Sequence, residues 1–174
     1  EKKASDIVGN IRINYDRALQ AIRRDNFDYA IELLGDLLKK DPSNFDVRMQ
    51  LRKAAVEKSE KKGGFFKKVF NTAGGGHHLA RAQLALNSDP VEALKEAERM
   101  LIVDPKNVTA LKLSAAAALK LDFPETRLRT LMMLHKVAPD DLEANAKLAN
   151  LYCDLGEPEK AEQIYGILLE HHPN

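Results

Sequence analysis

Apolar and small residues recur every three to four positions along most of the 174-residue chain, which is the period of an amphipathic helix. Phe27, Ala30, Leu34 and Leu37 mark one such face, and Phe45, Val47, Leu51, Ala54, Ala55 and Val56 mark another. Ala93, Ala97 and Met100 follow, then Leu111, Ala115 and Ala118, Leu131 and Leu134, and finally Leu148, Ala149 and Tyr152 before Ala161, Tyr165 and Leu168. This pattern predicts helices near 10–24, 27–40, 44–61, 65–73, 77–87, 90–103, 107–121, 124–137, 141–155 and 158–171, about ten in all. The chain is therefore expected to be all-α.

Composition agrees. The sequence is 44% apolar and 30% charged, only 6% aromatic and without Trp. Ala, Leu, Lys and Glu dominate, residues that lose little rotamer freedom in a helix. The net charge of +1 conceals an asymmetry, since residues 1–76 hold 16 basic against 11 acidic residues and residues 77–174 hold 11 against 15. No apolar run approaches the roughly 20 residues that cross a bilayer, so this segment is expected to be soluble. It begins at Glu1 rather than Met, which suggests a piece of a longer protein; an upstream signal or anchor, and the compartment, stay open.

A repeat underlies the helices. KKDPSN at Lys39, IVDPKN at Ile102 and KVAPDD at Lys136 are followed by a closing EHHPN, so that Pro105, Pro139 and Pro173 stand 34 residues apart. Pro42 lies 63 residues before Pro105, two such periods less five residues. Proline ends one helix and opens a turn because it lacks the N–H that would continue it. A period near 34 signals a solenoid of helix-turn-helix units, none of which buries its apolar face alone.

The stretch from Asn145 to Asn174 resembles a tetratricopeptide repeat, with Leu148, Ala149 and Tyr152 on its first helix, Gly156 at the turn, Ala161, Tyr165 and Leu168 on its second, and then Pro173. Phe27, Ala30, Leu34, Leu37 and Pro42, and likewise Ala93, Ala97, Met100 and Pro105, keep the same spacing. The resemblance implies a right-handed superhelical solenoid, with residues 1–10 as a lead-in and 11–174 as one repeat domain. Its units are 11–44, a degenerate 45–73, 74–107, 108–141 and 142–174. Ala18, Ala30, Ala93, Ala115, Ala149 and Ala161 occupy the close-approach points between paired helices. Arg52, Arg81 and Arg127 stand where a small residue is usual.

The resemblance further implies a non-catalytic interaction scaffold, binding a peptide or partner helix on the face lined by first helices. By repeat position those groove residues are Tyr15, Leu19, Ile22 and Arg23, then Lys112, Ala116, Leu119 and Lys120, then Lys147, Asn150 and Asp154. The Lys and Asn clamp by which some members hold the C-terminal carboxylate of heat-shock chaperones is missing: the matching pairs include Tyr15 with Leu19, Lys112 with Ala116, and Ala146 with Asn150. That points to a more apolar ligand.

Regularity breaks once, in GGFFKKVFNTAGGGHH from Gly63 to His78. On a helix, Phe65, Phe66, Val69, Phe70 and Ala73 share a face opposite Lys67 and Lys68. Three readings stay open: a shortened second helix of unit two, a basic Phe-rich foot on an anionic membrane, or a loop that docks on a partner, on a second copy, or in the chain's own groove. A membrane-surface adaptor using residues 63–76 is thus the alternative function, and self-association a further one. Nucleic acid is disfavoured, because no recognition module accompanies the basic residues.

Reactive chemistry has little to stand on. His77 with His78, and His171 with His172, are sequence neighbours that point about 100° apart on a helix and cannot chelate one ion together. GGG before HH is no phosphate loop, since no Lys-Ser/Thr follows. Cys153 is single and reads as small helix packing. No catalytic residues, metal site or cofactor are expected.

Overall fold

The computed structural model describes residues 1–61 and 75–171. Nine α-helices fill them: α1 Gly9–Arg23, α2 Phe27–Lys40, α3 Phe45–Lys61, α4 Gly75–Ser88, α5 Pro90–Val103, α6 Val108–Lys120, α7 Pro124–Val137, α8 Leu142–Asp154 and α9 Pro158–His171. These ranges meet the periodicity within a few residues. The expected helix at 65–73 falls outside the described residues. Within them there is no strand, only an isolated parallel bridge between Lys2 and Asn44.

The recurring proline strings are the joints between helix pairs. In the first two, an Asx turn follows the preceding helix: the Ser43 N–H donates to Asp41 Oδ1 at 3.2 Å and the Lys106 N–H to Asp104 Oδ1 at 3.2 Å. The next helix is then N-capped by the residue two places after the proline. Asn44 accepts from the Val47 N–H, Asn107 from Ala110 and Asp141 from Ala144, all at 2.9–3.0 Å.

Within pairs a different turn repeats. The N–H groups of Asn26, Phe123 and Glu157 donate five residues back, to the carbonyls of Ala21, Ala118 and Tyr152, at 2.8–2.9 Å, as in a Schellman ending. The residue before each has positive φ: Asp25 at 60°, Asp122 at 54° and Gly156 at 74°. Only glycine takes that conformation without cost.

Ala18, Ala30, Ala93, Ala115, Ala149 and Ala161 are all buried, as close approach of paired helices demands. Among the described residues, the apolar interior divides into two main cores. One joins Ile7, Tyr15, Ala18, Ile22, Phe27, Leu34, Leu37, Val47 and Leu51 from the lead-in and α1–α3. The other runs from Met100 and Leu101 of α5 through Leu111, Leu131, Leu134 and Leu148 to Ile164 of α9. Ala82, Leu94 and Leu113 belong to smaller clusters linking α4, α5 and α6. Among the described residues, no helix is long and apolar enough to cross a membrane.

Between the two cores the chain buries charge. Helix α3 packs on α5, and Arg52, which replaces the usual small residue, reaches across that contact. Its Nε and Nη2 grip the Glu98 carboxylate at 3.1 and 2.5 Å, while Nη1 donates to Thr130 and Nη2 to Ser114, both at 2.7 Å. Arg48, one turn earlier and 2% exposed, donates to Thr126 Oγ1 at 3.1 Å and to the Pro42 carbonyl, with Nε 3.4 Å from Glu98. The N-terminal lead-in completes the seam: the Glu1 carboxylate accepts from the Glu125 N–H at 2.7 Å and from Thr126, and Lys3 pairs with Glu125.

Candidate functional site

Helix α6 presents Lys112, Ala116, Leu119 and Lys120 along one side, spaced by about one turn. They line an open cavity of about 440 Å³ closed by α4, α7 and α8. Its floor is Leu113, Ala115, Leu131, Leu134 and Ala144, most of which belong to the second core, so the floor is held by packing on both sides. Its rim is basic: Lys112, Lys120, Arg127 and Lys147 stand against Glu143. Among the described residues, no aromatic side chain lines it.

The two ends of the rim differ. Near the start of α8, Lys112 pairs with Asp141 at 2.5 Å and Lys147 with Glu143 at 2.6 Å. Burial alone pushes the Asp141 carboxyl up, but the Lys112 hydrogen bond, the Ala144 N–H and the charges of Lys112 and Lys147 outweigh it and hold Asp141 below the usual carboxylate range. Glu143 is likewise held down by its bond to Lys147. At the α6–α7 turn, by contrast, the side chains of Lys120 and Arg127 make no ion pair or hydrogen bond among the described residues.

Sequence reasoning thus brings Lys112, Ala116, Leu119, Lys120 and Lys147 to one cavity, and misplaces others. Tyr15 and Ile22 are not on an open face: at 4% and 8% exposed they belong to the first core. The cause is the lead-in, which folds back and buries Ile7 in the same cluster. It is pinned by the Lys2–Asn44 bridge, by the Ala4 N–H to Asp46 at 2.7 Å, and by Arg12 donating to the Ala4 carbonyl at 3.0 Å. Burial, with the nearby Asp46, pushes the Tyr15 phenol up. Leu19 is half-buried against that core, and Arg23 is exposed at the end of α1.

Asn150 and Asp154 lie further along α8, outside the cavity lining, with Asn150 accepting from the Tyr165 hydroxyl at 2.8 Å. Phe65, Phe66, Lys67, Lys68 and Phe70 fall outside the described residues. Cys153 is exposed rather than packed. His78 meets the buried Glu96 at 2.5 Å, a carboxylate also bonded by Arg99 at 2.5 Å. Several lining residues were not among the expected groove residues, the floor residues and Glu143 among them, and Arg127 is the one basic rim residue so missed. Its one sequence signal was its size at a small-residue position.

A second cavity, of about 230 Å³, lies between α2, α3 and α5, lined by Leu38, Leu51, Val91, Leu94 and Ile102 with Lys95 and Arg99.

Solved structures of MamA share this fold. MamA from Desulfovibrio magneticus RS-1 aligns over 95% of this chain and 97% of its own, at 13% identity and a TM-score of 0.51. Another MamA crystal structure aligns over 92% and 91%, at 15% identity and 0.51. A thermophilic TPR protein in Thermus thermophilus, TTC0263, aligns over 94% and 92%, at 16% identity and 0.47. The fold is tetratricopeptide-like. No protein-family model matches the sequence and no curated protein matches it.

Proposed function

We infer that this protein is a non-catalytic interaction scaffold, and that its partner is a polypeptide segment seated in the groove between α4, α6, α7 and α8. The observation that carries this reading is the cavity itself: about 440 Å³, apolar at its floor and basic at its rim. Sites that bury a ligand combine these two features, an apolar floor for affinity and a few polar groups for orientation.

A photo-crosslinking residue placed at Leu119, 57% exposed on the groove edge, tests the reading in cells that express the protein. Discrete adducts with a polypeptide are expected from position 119 and not from Asp36, on the outer side of α2. Equal labelling from both positions, or none from 119, would remove the groove assignment.

A further inference from the structure

The charges of the groove run against those of the part of the chain that builds it. Residues 77–174 hold 15 acidic and 11 basic residues, yet among the described residues four of those basic residues and one of the acidic ones line the cavity. The groove is a positive patch in a negative body, and such a patch concentrates ligands of opposite charge. Within it, Lys112 and Lys147 already hold Asp141 and Glu143. Lys120 and Arg127 hold nothing among the described residues.

Position sharpens this. Lys120 is the last residue of α6, and Arg127 lies in the first turn of α7, so both flank the same tight turn, where Phe123 N–H closes on the Ala118 carbonyl. Arg127 is only half exposed. A guanidinium partly withdrawn from water and left without an anion loses hydration and gains no partner. One turn back along α6 from Lys120 stands Ala116, which lines the same cavity as the floor residues Leu131 and Leu134. The groove therefore has an open cationic end and an adjacent apolar seat, about one helical turn apart, followed by an end whose cations are neutralised.

Resting on the groove reading above, we propose that the partner segment is acidic and apolar in a fixed order: a carboxylate side chain held by Lys120 and Arg127 at the α6–α7 turn, next to a bulky apolar side chain over Ala116. Arg127 supplies a planar fork suited to bidentate carboxylate binding. Lys120 adds a point charge from the facing helix. The spacing admits neighbours at i and i+3 or i+4 of a helical segment, or at i and i+2 of an extended one.

Selection of a random twelve-residue peptide display library on the whole chain tests this, with Ala116→Arg as the variant that blocks the groove. Expected is an enriched set that pairs Asp or Glu with Leu, Ile, Phe or Trp and that the blocked variant does not retain. A synthetic member of that set should bind roughly tenfold more weakly to Lys120→Glu/Arg127→Glu, and its Glu→Gln analogue should lose affinity for the unmodified chain and be indifferent to the reversal. Groove-dependent peptides that are basic or uncharged, or acidic ones unaffected by the double reversal, would overturn the proposal while leaving the groove reading intact. Enrichment that Ala116→Arg does not abolish, or no enrichment, would overturn both. Melting curves of the two variants matching the parent keep the readout on binding.

Discussion

Glu98→Gln should be among the most damaging single substitutions in the protein. The carboxylate is nearly inaccessible, gripped by two nitrogens of Arg52 at 3.1 and 2.5 Å and faced by Arg48 Nε at 3.4 Å. Both guanidiniums are buried, and the Arg48 pKa is pushed down by that burial against the opposing pull of Glu98. Gln keeps the shape but removes the charge, leaving two cations in a dry seam with one amide between them. Breaking a buried ion pair from one side costs about 3–5 kcal/mol. With a urea m-value of ~2 kcal/mol/M, the denaturation midpoint falls by roughly 1.5–2.5 M. Hydrogen exchange should accelerate first in α3, around Glu98 in α5 and in the first half of α7, which the two arginines tie together. The combined variant Arg48→Met/Arg52→Met/Glu98→Leu, which removes all three charges, should recover most of the loss, because desolvating a triad offsets its attraction. A Glu98→Gln midpoint within about 0.5 M of the parent, which is ~1 kcal/mol on that slope, would refute the account and mean that the seam admits water.

Other outcomes follow from the turns, the groove rim and the first helix. Asp122→Gly relieves a left-handed residue at φ 54° and should raise stability by about 0.5–1 kcal/mol, visible as a higher melting temperature; a decrease would mean that the Asp122 side chain stabilises the turn more than its backbone costs. Asp141 has a folded pKa below its ordinary value, so the unfolded chain binds the extra proton: its contribution is complete above the unfolded pKa of ~3.9 and is lost as pH falls through the lower folded value. Lys112→Met, which removes the principal bond holding that carboxyl down, should flatten the acid limb of the stability–pH curve and leave its slope near pH 7 unchanged. An unaltered acid limb would show that the Lys112–Asp141 pair does not persist in solution. Leu19→Glu, at a position half-buried against the core that holds Ile7, Tyr15 and Ile22, should cost about 1–3 kcal/mol in urea denaturation; a variant as stable as the parent would return Leu19 to the open surface.

Most local information was legible, apart from the left-handed Asp25 and Asp122 and the exposure of Cys153, and long-range information was not. Helix faces follow from spacing, and the joints follow from Asp-Pro-x-Asn, since the turn and the cap are made by residues two or three apart. The lining of the α6 cavity was partly legible for the same reason: Lys112, Ala116 and Lys120 lie on one helix and line one cavity, whereas one period carries Ala116 and Lys120 to Asn150 and Asp154, which do not line it. Tyr15 and Ile22 occupy equivalent positions, yet what covers them is a segment outside the repeat, and no periodicity encodes where a lead-in folds. Arg52 and Arg127 were visible only as residues too large for their positions. Size alone does not separate a guanidinium buried on a carboxylate 46 residues away from one that edges an open groove.

That separation follows from where the two apolar cores end. Arg52 sits at the boundary where α3 leaves the first core and meets α5, and the contact there runs through Glu98, Ser114 and Thr130 rather than through leucines. Charge and hydroxyls join the halves, with directional bonds that hold one geometry. Arg127 stands on the other side of the second core, where α6, α7 and α8 already complete one another through Leu111, Leu131, Leu134 and Leu148. Nothing in that core needs its guanidinium. The groove floor is consequently set by packing that neither α1 nor α2 enters, so loosening the seam should leave the cavity of α4, α6, α7 and α8 in shape while releasing α3 from it.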